Sequence, residues 1–164
     1  MIEFVLGNRK LRLHPNGVMY SREHMNGHET KKEKWREINF CKNTYGYDVC
    51  GITVEGKPRL FYKHRLVKLA HDPTFDIFDA SPSNCIDHEN HTRDDNSNDN
   101  LRVVTKQQNS FNRSNVKGYY WNKVRKKWVA QIMLGGKCKN LGGFKTEEEA
   151  HKAYLKAKAI YHII

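Results

Sequence analysis

No stretch of this sequence approaches the ~18 consecutive apolar residues that a membrane-spanning helix needs, and its mean hydropathy is −0.84. The apolar start, Met1 to Gly7, is too short for a secretory h-region and no small-residue cleavage site follows. The expectation is therefore a cytoplasmic protein without membrane contact. None of the four cysteines (Cys41, Cys50, Cys85, Cys138) forms a C-x-x-C pair, which argues against a zinc ribbon or finger. Cys41 and Cys50 flank a turn at Asn43–Gly46 and could face each other across a hairpin, but a disulfide there needs an oxidising compartment. All four are read as reduced thiols. Acidic residues are the scarce charge: 18 Asp and Glu against 29 Lys and Arg leave a net charge of +11. Aromatic residues are plentiful (Phe 7, Tyr 8, Trp 3), so wholesale disorder is excluded. Such a cation excess on a folded chain points to a polyanionic partner, nucleic acid foremost; charge carried for solubility is the bland alternative.

The charge is uneven. Residues 116–164 hold eleven Lys or Arg and three Glu, a net of +8, which leaves +3 for residues 1–115. This split predicts two modules, 1–115 and 116–164, with the tail as the stronger electrostatic anchor. Residues 10–62 read as short strands. Asn16-Gly17 turns into Val18–Tyr20, a polar loop runs from Glu23 to Lys34, and Ile38–Phe40 and Tyr47–Val49 flank the Asn43–Gly46 turn. Ile52–Val54 and Leu60–Tyr62 flank a second turn at Glu55–Pro58. The stretch His64 to His71 suits a short helix stopped by Asp72-Pro73. Two short strands, Cys85–His88 and Leu101–Thr105, enclose a polar loop and lead into a helix capped by Thr105. The tail shows three strands, Gly118–Lys123, Lys127–Leu134 and Lys139–Phe144. Thr146 with Glu149 then forms a capping box, and Ala150, Ala153, Tyr154, Ala157, Ile160 and Tyr161 recur at helical spacing.

Hydrolysing a phosphodiester at neutral pH needs a base for water, a cation for the developing charge, and groups that hold the backbone in line. A hard ion such as Mg2+ takes oxygen ligands and keeps several waters. Asp87 offers a carboxylate and Asn109 an amide oxygen, while His88 offers an imidazole, the side-chain type suited to general acid–base work near neutral pH. Neighbouring strand residues point to opposite faces, so Asp87 and His88 share one site only if the strand ends or twists there. A polar surface loop rich in Asn and Asp is the plain alternative.

Asp87-His88, Asn100 twelve residues after the histidine and Asn109 nine further on resemble the HNH nuclease motif in its variant with a final Asn. Tyr62–Val67, Asp95-Asn96 and Asn100–Thr105 are similar to the surrounding words of phage and intron-encoded HNH homing endonucleases, as are Pro15–Ser21 and Lys34-Trp35 to Cys50. The resemblance covers about residues 12–113. It implies a ββα-metal module over 84–113, with Asp87 and Asn109 on one divalent metal (Mg2+ first, Mn2+ second). His88 would be the general base, and Asn100 would brace the loop that orients it. His64 is read mainly as a structural histidine. Arg93, Arg102 and Arg113 are candidate phosphate contacts, and Asp94, Asp95 and Asp99 are turn-formers.

In the tail, Lys117–Tyr120, Lys127–Ile132, Leu141–Phe144 and Thr146 with Glu149, Ala150, Ala153 and Tyr154 resemble the APETALA-type (ethylene-responsive) DNA-binding domain over about 116–162. That family inserts a three-stranded sheet into the major groove. By position, Trp121, Lys123, Arg125, Lys127, Trp128, Gln131 and Lys139 become the candidate DNA contacts, with core packing beneath the helix as the alternative for Trp128. The expected fold class is α+β. It comprises N-terminal antiparallel strands, the ββα-metal module, and a small three-stranded sheet packed on one C-terminal helix. The expected function is a site-specific endonuclease on double-stranded DNA, a monomer or weak dimer with no small-molecule cofactor, located in the host cytosol if phage-encoded. The second reading is a non-catalytic DNA-binding regulator that keeps the HNH module as a scaffold.

Overall fold

The computed structural model describes residues 1–22, 34–113 and 116–163. The loop expected over Glu23 to Lys34 thus lies outside the described residues except for its last position. The chain divides into two compact units, Met1–Val104 and Thr105–Ile164. This division falls ahead of the charge break at 115/116, and it places the helix after Thr105 in the second unit. No helix among the described residues is long and apolar enough to cross a membrane.

The first unit opens with a hairpin of β1 (Ile2–Leu6) and β2 (Arg9–Leu13), joined by Gly7-Asn8 with Gly7 at φ +57°. Its signal is period-two apolar residues on both sides of a two-residue turn, and it falls in a stretch read only as a short apolar run. Phe4, Leu6, Leu11 and Leu13 point inward, and their charged neighbours point out. The strands β3 (Met19–Arg22) and β4 (Trp35–Glu37) complete an antiparallel sheet in the order β1-β2-β3-β4. The turn at Asn16-Gly17 forms as expected: the Asn16 amide oxygen accepts from the Val18 N–H, and Gly17 takes φ +80°.

A second antiparallel sheet has β6 in the centre: β5 (Cys41–Lys42), β6 (Asp48–Val54) and β7 (Lys57–Tyr62). The stretches expected as two strands, 47–49 and 52–54, are one continuous strand, because Gly51 keeps its place in the ladder opposite Leu60. Ile38–Phe40, expected as a strand, is irregular and lies between β4 and β5. Cys41 pairs with Val49, so Cys50 falls on the other face; Cys41 is exposed, Cys50 is buried, and all four cysteines are free thiols.

Helix α1 (Lys63–His71) presents Leu66, Val67, Leu69 and Ala70 to β1, β6 and β7, and one apolar core gathers these elements. Arg65 leaves that core to hold the chain that follows. Its guanidinium donates to the carbonyls of Asp76, Ile77, Asp79 and Asn84 at 2.9–3.3 Å and lies over the Phe75 ring. This anchors the irregular segment that delivers β8 (Cys85–His88). The partner strand β9 (Leu101–Val104) runs antiparallel to it, after one 3-10 turn at Asn98–Asn100.

In the second unit, α2 (Lys106–Phe111) starts at a complete capping box between Thr105 and Gln108. The strands β10 (Tyr119–Asn122), β11 (Lys127–Leu134) and β12 (Lys137–Phe144) form an antiparallel sheet. Helix α3 (Glu147–Tyr161) begins at the Thr146–Glu149 box and buries Ala150, Tyr154 and Ala157, the last two in one cluster with Ile132, Leu134 and Leu141 of the sheet. Ile160, placed on the apolar stripe by spacing, is 56% exposed one turn beyond the sheet contact.

Gly118 marks the tightest approach in this unit. Its φ is +69°, and a Cβ there would sit 2.1 Å from the Tyr154 ring. Gly118→Ala is expected to destabilise the second unit by about 2–3 kcal/mol, combining positive-φ strain with overpacking. A urea titration followed by tryptophan fluorescence checks this, since Trp121 and Trp128 report on this unit.

Candidate active site

The β8–β9 ribbon sets the site. Asp87 lies opposite Arg102, and His88 opposite Leu101. Strand alternation therefore sends the two side chains to different faces of the ribbon, although β8 ends at His88. Both are nearly buried, at 6% exposure each. On one face, the Arg102 Nε and Nη2 donate to Asp87 Oδ2 at 3.0 and 2.9 Å. Arg102 was a candidate for phosphate; here it neutralises the buried carboxylate, and its Nη1 lies 3.8 Å from Glu89 Oε1.

On the other face, His88 enters a group of rings. His64 meets it edge to face at 5.2 Å between centroids, and Tyr47 lies at 6.0 Å. Tyr62 stacks on His64 at 5.2 Å. Burial above all, with further contributions from His88 and Arg65, pushes the His64 imidazole down to about 3. His64 is thus a neutral wall, as its structural reading implied.

The loop 89–99 is held at both ends by Asn100, itself 8% exposed. The Asn100 Oδ1 accepts from the Asn90 N–H at 2.9 Å, its Nδ2 donates to the Asp95 carbonyl at 2.8 Å, and its carbonyl accepts from the Glu89 N–H at 3.0 Å. Asp95 Oδ1 accepts from the Ser97 N–H and hydroxyl, a turn-forming use that draws its carboxyl below the usual range, the hydroxyl bond contributing most.

Three side chains tie this loop to the β5–β6 hairpin, and the residues on the hairpin side carried no sequence signal. Arg93 donates to the Tyr45 carbonyl at 2.7 Å and lies over the Tyr47 ring. Asp94 pairs with Lys42, which also reaches Asp48 at 2.9 Å. The amide of Asn96 bridges His88 and Asp48, with Oδ1 3.3 Å from His88 Nε2 and Nδ2 3.2 Å from Asp48 Oδ2.

Asn109 stands on α2, in the second unit. Among the described residues no group of three or more His, Cys, Asp or Glu is gathered as a metal cage. The donors at the motif positions are one carboxylate and one amide, a set that suits a hard ion retaining water and phosphate ligands and does not suit zinc.

The tail candidates fall on two faces of their sheet. Tyr119 donates to Glu147 on α3, and Trp121 and Trp128, in register opposite one another, share its face by alternation. Lys139 is also on the α3 side: its ammonium donates to the Tyr161 hydroxyl at 3.0 Å and lies over that ring. Lys127 and Gln131 lie on the face away from α3, and both are exposed. Lys123 and Arg125 sit in the β10–β11 turn, where Asn122 Oδ1 accepts from the Val124 and Arg125 N–H groups.

Residues 80–111 match the HNH endonuclease family. No curated protein matches the chain. A solved structure described as "DNA binding and cleavage by the HNH homing endonuclease I-HmuI" is similar at 22% identity and a TM-score of 0.45, covering 82% of this chain and 71% of that one.

The depressed His64 gives a pH test. The unfolded chain takes up a proton near pH 6.5 and the folded one only near 3, so U binds more protons throughout that interval. Stability should therefore fall as pH drops from about 6.5 towards 3, with a His64 contribution approaching about 1.4 kcal/mol per pH unit. Chemical denaturation across this range should show a shallower loss for His64→Gln than for the parent protein.

Proposed function

We propose that this protein is a site-specific DNA endonuclease of the HNH homing type, hydrolysing a phosphodiester of double-stranded DNA. The observation that carries the reading is His88, placed at the end of β8 inside the matched segment. Its ring nitrogen is held by Asn96, and its following loop is clamped by Asn100. In this reading His88 takes the proton of a water that attacks phosphorus, and Asn100 keeps the loop from carrying His88 out of line. Asp87 and Asn109 are the residues that would hold a divalent ion, Mg2+ first. When bound, such an ion supplies charge stabilisation at the phosphate and the leaving 3′ oxygen. Arg102 orients the Asp87 carboxylate through two hydrogen bonds to its Oδ2.

The second unit is proposed as an APETALA-type DNA-binding module. Its support is the set of cations on the β10–β11 turn and on the sheet face away from α3, namely Lys123, Arg125 and Lys127, with Gln131 beside them. Trp121 and Trp128 meet edge to face on the sheet face they share with Tyr119, and Lys139 secures the end of the helix through Tyr161.

One observation favours the second reading, a non-catalytic DNA-binding regulator: Arg102 already occupies Oδ2 of Asp87. Plasmid nicking with Mg2+ and with EDTA separates the two. His88→Ala should keep DNA binding and lower cleavage by about 10²–10⁴-fold; full cleavage by the variant, or in EDTA, would exclude the mechanism.

The tail has its own measurement. Each phosphate neutralised on duplex DNA contributes about −0.9 to the slope of log K against log salt. The triple variant Lys123→Ala, Arg125→Ala, Lys127→Ala should therefore bind more weakly, with a slope shallower by about 2–3. An unchanged slope would place these cations in solvent.

A further inference from the structure

We infer that Asp48, charge-paired with Lys42, is a positioning residue for His88: acting through the Asn96 amide, it selects which imidazole nitrogen can take the proton. The inference rests on His88 being the base, and it reaches beyond residues 80–111 to a strand and a hairpin outside the matched segment.

The argument is one of hydrogen-bond polarity. A carboxylate only accepts. The end of Asn96 that lies 3.2 Å from Asp48 Oδ2 must therefore be the NH2, which also faces the Asp94 carbonyl at 3.3 Å, a second acceptor. The opposite end, 3.3 Å from His88 Nε2, must then be the amide oxygen. An oxygen acceptor requires Nε2 to carry a hydrogen, so neutral His88 holds its proton on Nε2 and Nδ1 becomes the nitrogen able to accept one.

Asp48 imposes this polarity as a carboxylate, and Lys42 pairs with it at 2.9 Å. Its ammonium sits between Asp48 and Asp94, the two carboxylates that hold it charged by pushing its pKa up. The ring itself is confined by His64 and Tyr47, so a change of tautomer cannot be absorbed by free rotation of the imidazole.

Asp48→Asn tests this with almost no change in shape. The new amide can present either end to Asn96, which leaves the amide polarity to the Asp94 carbonyl alone, at 3.3 Å, while Lys42 keeps Asp94. The expected result is a 10- to 100-fold slower single-turnover cleavage with unchanged affinity for duplex DNA. Nitrogen-15 NMR of the His88 ring at pH 8 should then show a single Nε2–H tautomer in the parent protein and a mixture in the variant. Asn96→Asp alone, which sets two carboxylates against each other, should also be slow. Combined with Asp48→Asn it restores an acceptor toward His88 and should recover at least tenfold over Asn96→Asp. An unchanged tautomer in Asp48→Asn, whatever its rate, overturns the inference, as does a shifted tautomer at undiminished rate or a double variant that folds without recovery. If Asp48→Asn fails to fold, the double variant decides alone. Undiminished cleavage by His88→Ala would instead refute the base assignment, and the tautomer measurement would still stand by itself.

Discussion

A two-stranded ribbon with four residues per strand does not hold itself together in water, yet β8 carries both Asp87 and His88. The ribbon persists because it is tied down along its length. Arg65 takes the carbonyls of the incoming segment, Leu101 is sealed in the core, and Asn100 closes the intervening loop with a side chain that donates and accepts across it. Of these, Asn100 is the one without a substitute. Replacing its amide by an apolar group would remove the partner of the Asn90 N–H and of the Asp95 carbonyl, two part-buried hydrogen bonds worth about 0.5–1.5 kcal/mol each. The loop that aims His88 would then be free to swing.

The clamp explains how an exposed, polar loop can hold a buried histidine in one orientation. Loops are ordinarily where structure is softest. Here Arg93, Asp94 and Asn96 each reach the β5–β6 hairpin, so the loop borrows rigidity from the sheet. The two faces of the ribbon then differ in kind. Asp87 meets a full positive charge in Arg102, whereas His88 meets neutral rings and an amide.

Local spacing made part of this legible in the sequence. The Asp-His pair, the Asn twelve residues on and the Thr105 cap each depend on neighbours within a few turns of chain, and the strands and helix appear where that spacing puts them. Other features had no local trace. Asp48 and Lys42 join the site across about fifty residues, and nothing around Asp48 distinguishes it from a surface carboxylate. Arg102 reads equally well as a phosphate contact or an internal partner, and only the strand register decides between them. Lys139 and Trp128 show the same limit. A basic or aromatic residue on a strand of unknown facing fits a groove or a helix equally, and the β-bulge between Ala130 and Gln131 shifts the register there. The β1–β2 hairpin, by contrast, was legible in principle: Ile2, Phe4 and Leu6 alternate with Glu3 and Val5 up to Gly7-Asn8, then Leu11 and Leu13 alternate with Lys10 and Arg12.

The use of an amide between Asp48 and His88 has a physical consequence of its own. A carboxylate set directly against an imidazole N–H fixes the ring but also places a full negative charge on it in a site of low polarity, where charge interactions are strong. An amide passes on direction without passing on charge, because its two ends differ in polarity and the molecule is neutral. Lys42, shared with Asp94, offsets part of the charge that remains at the far end. The ring is therefore oriented by hydrogen bonding and confined by neutral His64 and Tyr47. In a protein of net charge +11 that is read as meeting a polyanion, the long-range field acts on the nucleic acid while the base is oriented through a neutral amide.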